Sequence, residues 1–376
     1  MRYKLSDICF YAKGKVDVSG LTDADYISTE KMMPNKGGVT IASSLPSTAQ
    51  TQAYRKDDVL VSNIRPYFKK IWFANCNGGC SNDVLVFRAK EDTDARFLYY
   101  VLADDAFFDY STATSKGTKM PRGDKTAIMQ YEVPHFDLPI QKKIAGILAD
   151  IDNKISLNNN INNNLEQQAK ALYKNWFFDF STFSSDGNLP DGWRLGTVGD
   201  IIQLHDSKRV PLSGAERNKM AKVYPYYGAA SRMDYVDSYL FDGIYLLLGE
   251  DGTVVDSLGF PILQYVYGQF WVNNHAHIIT GKEGFSVEEL YLLFSLTNIK
   301  SIVTGAVQQK VSQQNLKKVP AIIPGKEALD AFDEIIQPVF TQIRNLRDEN
   351  ANLAVLRDTL LPKLMSGELD VSDVDL

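Results

Sequence analysis

Residues 138–178 read LPIQKKIAGILADIDNKISLNNNINNNLEQQAKALYKNWFF. In this stretch apolar residues, with Asn158 and Asn162 in the same series, recur alternately every four and every three positions. That spacing lines one edge of a helix and, over about five heptads, is typical of a coiled-coil seam. At about 1.5 Å per residue the helix would be about 58 Å long. The stretch therefore predicts a spacer helix that packs against a second helix, rather than a core element of one small domain.

The second helix appears when the pattern is shifted along the chain. A shift of 188 positions carries Leu148 to Ile336 and Ile155 to Ile343, and it places the whole seam on residues 323–369. Weaker resemblances outside the helices keep the same order in both halves. The sequence therefore predicts a duplicated unit, in which a globular domain and a long helix each occur twice.

We accordingly divide the chain into a first globular domain at 1–138, a central long helix at 139–183, a second globular domain at 184–322, and a distal long helix with an acidic tail at 323–376. Both globular segments mix strand and helix patterns, so we expect an α+β fold. The expected strands lie at 59–63, 70–74, 83–88, 244–248 and 276–280, and the expected helices at 95–108 and 287–296.

Asparagines interrupt the seam of the central helix at 158–164. Asparagine is a mediocre helix former, and such a run is also typical of low-complexity, disordered chain. Because the heptads continue on both sides, we favour the helix. We hypothesise that Asn162 and Asn350, which the shift makes equivalent, lie in the seam and fix the register of the helices at some cost in stability.

The composition is that of a folded chain without a membrane span. Of the 376 residues, 44% are hydrophobic, and the net charge is −6. The longest apolar run, at 244–248, is strand-sized, no secretory signal follows Met1, and three cysteines fit a reducing compartment, so we expect a cytoplasmic protein. Residues 323–376 hold 5 basic and 11 acidic residues and carry the whole excess. The acidic total is therefore no argument against DNA binding.

No catalytic motif is found. The sequence lacks the phosphate-binding Gly-x-x-x-x-Gly-Lys-Ser/Thr loop, the Gly-x-Ser-x-Gly elbow, the dinucleotide fingerprint, and the Asn/Asp-Pro-Pro-Tyr/Phe motif of amino-methyltransferases. Cys76 with Cys80, and His275 with His277 on one face of a strand, have metal-like spacing. The cysteines have no second ligand pair nearby, and such histidines more often line a solvent or ligand face. We therefore expect no metal.

Basic residues mixed with aromatic residues and amides occur at comparable places in both halves. Lysine and arginine neutralise phosphates, whereas arginine, glutamine and asparagine hydrogen-bond base edges. An ordinary solvated loop has the same composition, but its recurrence in two divergent domains favours DNA binding. The candidate DNA-binding residues are Arg65, Lys69, Lys116, Lys119, Arg122, Lys208, Arg209, Lys219, Gln308, Gln309 and Lys310.

Four stretches make the chain resemble the specificity subunit of Type I restriction-modification systems. They are LPIQKKIAGILADIDNKI at 138–155, LYKNWF at 172–177, LRDTLLPKLMSGEL at 356–369, and LPDGW at 189–193. The resemblance covers nearly the whole chain. It implies two mixed α/β target recognition domains, separated by two long antiparallel coiled-coil helices in an internal pseudo-twofold repeat. Each domain would recognise one half of a bipartite site on double-stranded DNA.

The same resemblance implies the partners and their cofactors. Modification subunits would dock on the helices and domains and supply S-adenosylmethionine-dependent adenine methylation. Restriction subunits would add translocation and cleavage that depend on ATP and Mg. This chain would be non-catalytic, bind no cofactor and contact no membrane. The distal helix departs from the pattern, since GKEA at 325–328 stands where the central helix has QKKI at 141–144, so identical docking of the two helices is not implied.

Two other interpretations remain. A coiled-coil scaffold whose domains bind only proteins would explain the helices and the repeat, but it would not need loops rich in basic and amide residues. A fused restriction-modification enzyme would need nuclease or methyltransferase motifs, which the sequence lacks. For DNA recognition, a 58 Å spacer spans about 17 base pairs at about 3.4 Å each. Because the domains have width, the half-sites would be separated by about one helical turn or less.

Overall fold

Two long helices, Leu138–Phe177 and Lys326–Ser366, dominate the computed structural model, which describes residues 2–184, 188–305 and 307–374. They contain 40 and 41 residues, so each is about 60 Å long at about 1.5 Å per residue. The seam positions predicted from the spacing are all buried or half-buried. The prediction of two long helices is therefore confirmed.

Contacts within the chain divide it into two compact units, residues 1–158 with 348–376 and residues 159–347. Each unit holds one globular domain together with part of the central helix and part of the distal helix. The four segments expected from the sequence stay a prediction, because this division cuts across both helices.

In the first unit the two helix segments run antiparallel. Arg357 Nη1 donates to Asp152 Oδ1 at 2.8 Å, and Lys154 Nζ lies 3.4 Å from Glu349 Oε1. From position 152 to position 154 of the central helix, the partner on the distal helix changes from position 357 to position 349. The hydroxyl of Tyr100, from the globular domain, donates to the other oxygen of Asp152 at 2.7 Å. One carboxylate therefore joins the domain to both helices.

The second unit has the same arrangement with different residues. Arg347 Nη2 donates to Glu166 Oε1 at 2.9 Å, and the Tyr291 hydroxyl donates to Oε2 at 3.0 Å. Further along the central helix, the Tyr173 ring packs against Phe332, which lies earlier on the distal helix, with 5.4 Å between ring centroids. The helix segments of this unit are therefore antiparallel as well.

The first domain combines short sheets with short helices. One sheet is antiparallel, in the order Cys9–Tyr11, Val84–Ala89, Val59–Ser62 and Ile71–Phe73. A second sheet has a parallel last pair, in the order Lys15–Asp17, Gln50–Tyr54, Gly78–Cys80 and Tyr26–Ile27. The opening and closing strands pair with each other, Arg2–Lys4 with Glu132–Pro134. The helices are Leu5–Ile8, Ala95–Ala103, Asp105–Ala113 and Lys125–Ile128.

The second domain is built around one six-stranded sheet. Its order is Ile202–Leu204, Ala276–Gly281, Phe241–Gly249, Leu263–Val272, Tyr224–Tyr227 and Arg232–Val236. Two further strand pairs are Asp251–Gly252 with Gln309–Lys310 and, from the opening and the close of the domain, Arg194–Thr197 with Pro320–Ile323. The helices are Val198–Ile201, Gly214–Arg217, Val287–Leu296 and Gln313–Lys317. In both domains the opening strand thus pairs with the closing strand, a feature that the expected strands did not include.

The long helices contribute to the core of each unit. Leu148 of the central helix belongs to the same buried cluster as Phe97 of the first domain. Ile336 of the distal helix belongs to the same buried cluster as Leu290 of the second domain. Burial of such side chains is the main stabilising contribution to folding. The seam residues therefore hold the domains onto the helices as well as the helices to each other.

One predicted element is wrong in its extent. The helix expected at 95–108 is two helices, Ala95–Ala103 and Asp105–Ala113. Asp104 between them is extended, with ψ of 138°, and its side chain accepts a hydrogen bond from Ala106 N at 3.0 Å. An aspartate side chain competes in this way with helical backbone bonding, and the apolar spacing does not reveal it.

All five expected strands and the helix expected at 287–296 are present, with small differences at their ends. No helix in the described part of the chain combines the length and the apolar composition that a membrane crossing requires.

Candidate nucleic-acid interface

Each domain carries a hairpin where the sequence predicted a recurring loop. In the first domain Lys116 and Arg122 exchange two backbone hydrogen bonds, of 2.8 and 2.9 Å. In the second domain Thr304 and Lys310 do the same, again at 2.8 and 2.9 Å. The shift of 188 positions that aligns the long helices carries Lys116 to Thr304 and Arg122 to Lys310. The hairpin is therefore common to both domains, although its side chains differ.

In each domain one further segment pairs with the second strand of the hairpin. Ile64 forms an antiparallel bridge with Arg122, and Asp251 pairs antiparallel with Lys310. These contacts tie the far strand of each hairpin to the body of its domain. In each domain the surface around the hairpin therefore comes from the hairpin itself and from this flanking segment, which are far apart in the sequence.

The hairpin tips project into solvent. Gly117 and Gly305 follow the first paired residue with φ of 96° and 88°, a conformation that favours glycine. Val307, at the tip of the second hairpin, is fully exposed, and its counterpart Lys119 is exposed in the first. Ala306 lies outside the described residues. An exposed tip can approach a groove of DNA without a change in the domain core.

The structure places the five candidate residues of the first domain around its hairpin. Arg65 is exposed, and its backbone N donates to Pro121 O at 2.8 Å, which brings it beside the hairpin. Three candidates form ion pairs within the domain, Lys69 with Asp105, Lys116 with Asp124 and Arg122 with Asp83. Ion pairs at the surface are weak, so these cations remain available to a phosphate.

The candidates of the second domain are less concentrated. Gln308, Gln309 and Lys310 share the hairpin and are exposed. Lys208 and Lys219 are also exposed, but they lie on separate segments of the chain. The hairpin triplet is therefore the compact part of the predicted site.

Arg209 differs from the other candidates because its side chain is only 13% exposed. Its Nη1 donates to Glu250 Oε2 at 2.6 Å and to the carbonyl oxygen of Ala276 at 2.8 Å. Its role in DNA binding stays a prediction, but no part of the interface described above depends on it.

A buried histidine fixes the base of the second hairpin. His277 is fully buried, with Nδ1 at 2.6 Å from Asp206 Oδ2 and Nε2 at 2.8 Å from the carbonyl oxygen of Val311. Because a carbonyl only accepts, Nε2 donates to Val311, the residue after the hairpin. Burial by itself would raise the pKa of Asp206, yet the hydrogen bond from His277 and the charges of His277 and Arg209 hold that pKa below its usual value.

The expectation that two histidines share one strand face is wrong. His277 lies in the strand Ala276–Gly281 and is buried, whereas His275 precedes the strand and pairs through Nδ1 with Asp251 Oδ1. Ring atoms of His277 and oxygens of Asp206 and Glu250 do lie within 4.8 Å of one another. However, Arg209 already places its guanidinium against both carboxylates, and the cluster is a hydrogen-bonded charge network.

The two cysteines with metal-like spacing have different surroundings. Cys76 is exposed, whereas Cys80 is buried in the strand Gly78–Cys80. Burial raises the pKa of the Cys80 thiol to about 12, which disfavours the thiolate that zinc requires. The expectation that this chain holds no metal stays a prediction.

The seam asparagines form a pair that the shift did not predict. Asn158 Nδ2 donates to Asn350 Oδ1 at 2.9 Å and to Glu349 Oε2 at 2.8 Å. Asn162, the expected equivalent of Asn350, is buried, and its Oδ1 has no hydrogen-bond partner among the described residues. Within the first unit, Asn350 is thus paired with Asn158.

A comparison with known protein families identifies the family of this chain. A model of the Type I restriction modification DNA specificity domain matches residues 1–167 and again residues 190–353. The two matches cover most of the chain and reproduce its internal repeat. The chain belongs to this family. The resemblance inferred from the four sequence stretches is therefore confirmed.

Specificity subunits from other organisms match this chain over most of their length. The MjaIX specificity subunit of Methanocaldococcus jannaschii is 23% identical over 95% of this chain and 88% of its own. The HindI specificity subunit of Haemophilus influenzae is 23% identical over 98% and 99%. The crystal structure of an S subunit from M. genitalium aligns with a TM-score of 0.57 at 17% identity, over 97% and 96% of the two chains. That likeness supports the fold of two domains with long helices.

The first domain also has basic residues that were not among the DNA-binding candidates predicted from the sequence. A groove of about 450 Å³ is lined by Lys13, Lys15 and Lys125 together with Gln50, Gln52 and Asn82. The three lysines are exposed and form no ion pair within the described residues. They come from segments more than a hundred residues apart, so no local spacing could have revealed them. Lys125 lies three residues after Arg122, which places the groove close to the hairpin.

Proposed function

We propose that this chain is the sequence-specific DNA-binding subunit of a Type I restriction-modification complex, and that each domain recognises one half of a bipartite site through its hairpin. The observation that carries the proposal is the pair of hairpins at 116–122 and 304–310. They occupy equivalent positions, they are exposed, and they carry cations and amides. A scaffold that binds only proteins has no need for this repeated arrangement.

The two hairpins differ in chemistry, which suits two different half-sites. The first offers Lys119 and Arg122, whose charges suit phosphates, and the arginine fork can also bind guanine. The second offers Gln308 and Gln309, whose amides can donate to and accept from a base edge, with Lys310 beside them. We therefore assign phosphate contacts mainly to lysines and base contacts mainly to the glutamines and arginines.

The long helices set the spacing between the half-sites and dock the modification subunits. Their length of about 60 Å is much greater than a domain core requires. The distal segment 323–376 carries the excess acidic charge of the chain, and such a surface suits a protein partner better than phosphate.

The catalytic steps belong to the partners in this proposal. S-adenosylmethionine and adenine methylation are assigned to modification subunits, and ATP with Mg to restriction subunits that translocate and cleave DNA. This chain contributes recognition, binds no cofactor or metal, and acts in the cytoplasm.

The decisive experiment is methylome sequencing of a host that expresses this chain with its modification subunit. We expect a bipartite methylated motif with a fixed unread spacer. Lys119→Glu should then weaken binding to the first half-site and Lys310→Glu to the second, and each should lower the dependence of binding on salt. Lys56→Glu, an exposed lysine on another loop, is the control. A purified complex with no sequence-selective DNA affinity would favour the protein-binding scaffold.

A further inference from the structure

A cluster of left-handed backbone lies beside the first hairpin. Among the described residues, seven residues other than glycine have positive φ, and four of them, Asn35, Lys36, Arg65 and Lys69, have φ between 50° and 60° and belong to two adjoining turns. Asn35 N donates to the carbonyl oxygen of Phe68 at 2.8 Å, and Lys36 N donates to that of Lys69 at 2.8 Å. Such conformations are costly and persist only where the surroundings enforce them. The two turns therefore hold each other in a strained arrangement.

The strained turn presents two aromatic rings to solvent. Pro66–Phe68 forms a single 3-10 turn between the left-handed residues Arg65 and Lys69. Pro66 is buried, but Tyr67 is 48% exposed and Phe68 is 38% exposed. Their ring centroids are 4.8 Å apart. Exposing two adjacent aromatic rings sacrifices hydrophobic burial, so the arrangement calls for a ligand that covers them.

Ion pairs anchor this turn to the helix Asp105–Ala113. Lys36 Nζ lies 2.8 Å from Asp105 Oδ1, and Lys69 Nζ lies 3.0 Å from Oδ2 of the same carboxylate. One carboxylate thus contacts both left-handed turns. The backbone hydrogen bonds between the turns, rather than these partly exposed ion pairs, fix where the rings stand.

The turn is also joined to the hairpin. Arg65 N donates to Pro121 O at 2.8 Å, and Ile64 bridges Arg122. Met120, the neighbouring hairpin residue, is 44% exposed. Arg65 and Lys119 supply exposed positive charge at its edges. Apolar rings bordered by cations are complementary to base pairs bordered by phosphates, and less so to an apolar protein surface.

We propose that Tyr67 and Phe68 form a wedge that inserts at one base step of the first half-site and unstacks it, while Arg65 and Lys119 bind the flanking phosphates. Apolar wedges of this kind partly unstack and kink duplex DNA. The proposal rests on the proposed function. In the second domain Asp251 pairs with the hairpin as Ile64 does in the first, and the residues that follow it, 252–259, include no aromatic residue, so the wedge acts at one half-site only.

The test compares intact duplexes with duplexes that carry one abasic site, placed in turn at each position in and beside the first half-site. The full chain in complex with its modification subunits is the protein used. An abasic position lowers the cost of unstacking, so at one step we expect wild-type binding to tighten on the order of tenfold. Tyr67→Ala and Phe68→Ala should lose most of this gain. Tyr239→Ala removes a ring that is 42% exposed in the second domain, and it should keep the gain.

A 2-aminopurine probe at the same step should brighten when the wild-type complex binds and stay quenched with Tyr67→Ala. The wedge is overturned if wild-type binding gains from no abasic position, or if Tyr67→Ala keeps the full gain. It is also overturned if Tyr67→Ala folds normally but no longer assembles with the modification subunits, because the rings would then contact protein. A wild-type complex without sequence-selective DNA binding would instead contradict the proposed function itself.

Discussion

Asp152 of the central helix accepts a hydrogen bond from Arg357 of the distal helix at 2.8 Å, and this ion pair joins the two helices within the first unit. Both side chains are about three-quarters buried, at 29% and 25% exposed. Arg357 occupies a seam position where the central helix has Ala169 in the sequence repeat. The Tyr100 hydroxyl completes the arrangement. In the second unit Glu166 has the same role, so different residues form a similar junction in the two units.

Arg357→Ala should lower the free energy of unfolding by about 1–3 kcal/mol, the usual range when a charged hydrogen bond in a partly buried site loses one partner. Tyr100→Phe should cost less, and the double variant should show coupling, since both groups bind one carboxylate. Denaturant titration of the purified complex measures these changes. Lys326→Ala breaks an exposed pair with Asp330 and should cost no more than about 0.5 kcal/mol. Equal costs for the two alanine variants would contradict a structural role for Arg357.

Some elements of the fold could be predicted from the sequence and others could not, and the difference has a physical reason. The long helices could be predicted because the seam is a local pattern, repeated over many turns. The break at Asp104 could not, since one side-chain hydrogen bond decides it. The strand Leu263–Val272 was not predicted either. Its buried residues form one pair and one triplet instead of alternating, because contacts on both faces of the sheet determine which side chains are covered.

The sequence predicted where the recurring loops lie, but not their form. Gly117 and Gly305 are equivalent under the helix shift, whereas the pairing that makes each loop a hairpin is seen only in the structure. The burial of Arg209 depends on Glu250 and Ala276, which lie 41 and 67 residues away. The lysine groove of the first domain likewise joins distant segments. Only the tertiary structure brings such residues together.

Asn162→Leu should stabilise the chain by about 1 kcal/mol or more. The buried Oδ1 of Asn162 has no partner among the described residues, and an unsatisfied buried polar atom is costly. Asn350→Leu would take away an acceptor of the buried Asn158 amide, so the double replacement of Asn162 and Asn350 should gain less stability than Asn162→Leu alone, and it should loosen helix register. Asn158→Leu alone should destabilise, because it removes two hydrogen bonds across the seam, to Asn350 and to Glu349. Thermal melting compares stability, and crosslinking between cysteines placed on the two helices reports register. A clear loss of stability in Asn162→Leu would contradict this interpretation.

Stability should fall as pH rises from about 5 to about 8 because of Glu289. Burial, with the nearby charges of Asp333 and Glu288, raises the pKa of this carboxyl from 4.5 to about 8. Between these values the folded chain keeps a proton that the unfolded chain has lost, so the free energy of unfolding decreases by up to about 1.4 kcal/mol per pH unit.

Glu289→Gln should flatten this slope and stabilise the chain at pH 8. Glu216→Gln is a matched control, since Glu216 also closes a capping box with a serine three residues before it, but it is exposed and its pKa is lowered. Urea titrations at several pH values measure both variants. A wild-type chain whose stability is constant from pH 5 to 8 would contradict the burial of a protonated Glu289.

The lysine groove should contribute to DNA affinity through charge alone. Replacing Lys13, Lys15 and Lys125 by glutamine should reduce the slope of log affinity against log salt by about 2 to 3, since each lost phosphate contact lowers it by about 0.9. Relative affinities for different half-site sequences should stay unchanged, because phosphate contacts carry no sequence information. Titrations of the assembled complex at several salt concentrations test this. Lys56→Gln gives the baseline for loss of one exposed lysine, and a triple variant with the slope of that control would exclude the groove from the interface.

Inserting one heptad into both long helices should lengthen the spacer of the recognised site without changing its half-sites. The insertions belong after Asn158 and after Arg347, where the chain passes from one compact unit to the other. Seven residues preserve the seam spacing and add about 10.5 Å to each helix, which corresponds to about three base pairs. Inserting four residues would rotate the seam and should impair folding, so this variant separates length from register. Methylome sequencing of the heptad variant reports spacer and half-sites together. Recognition of the original spacer alone would mean that the helices do not set the spacing.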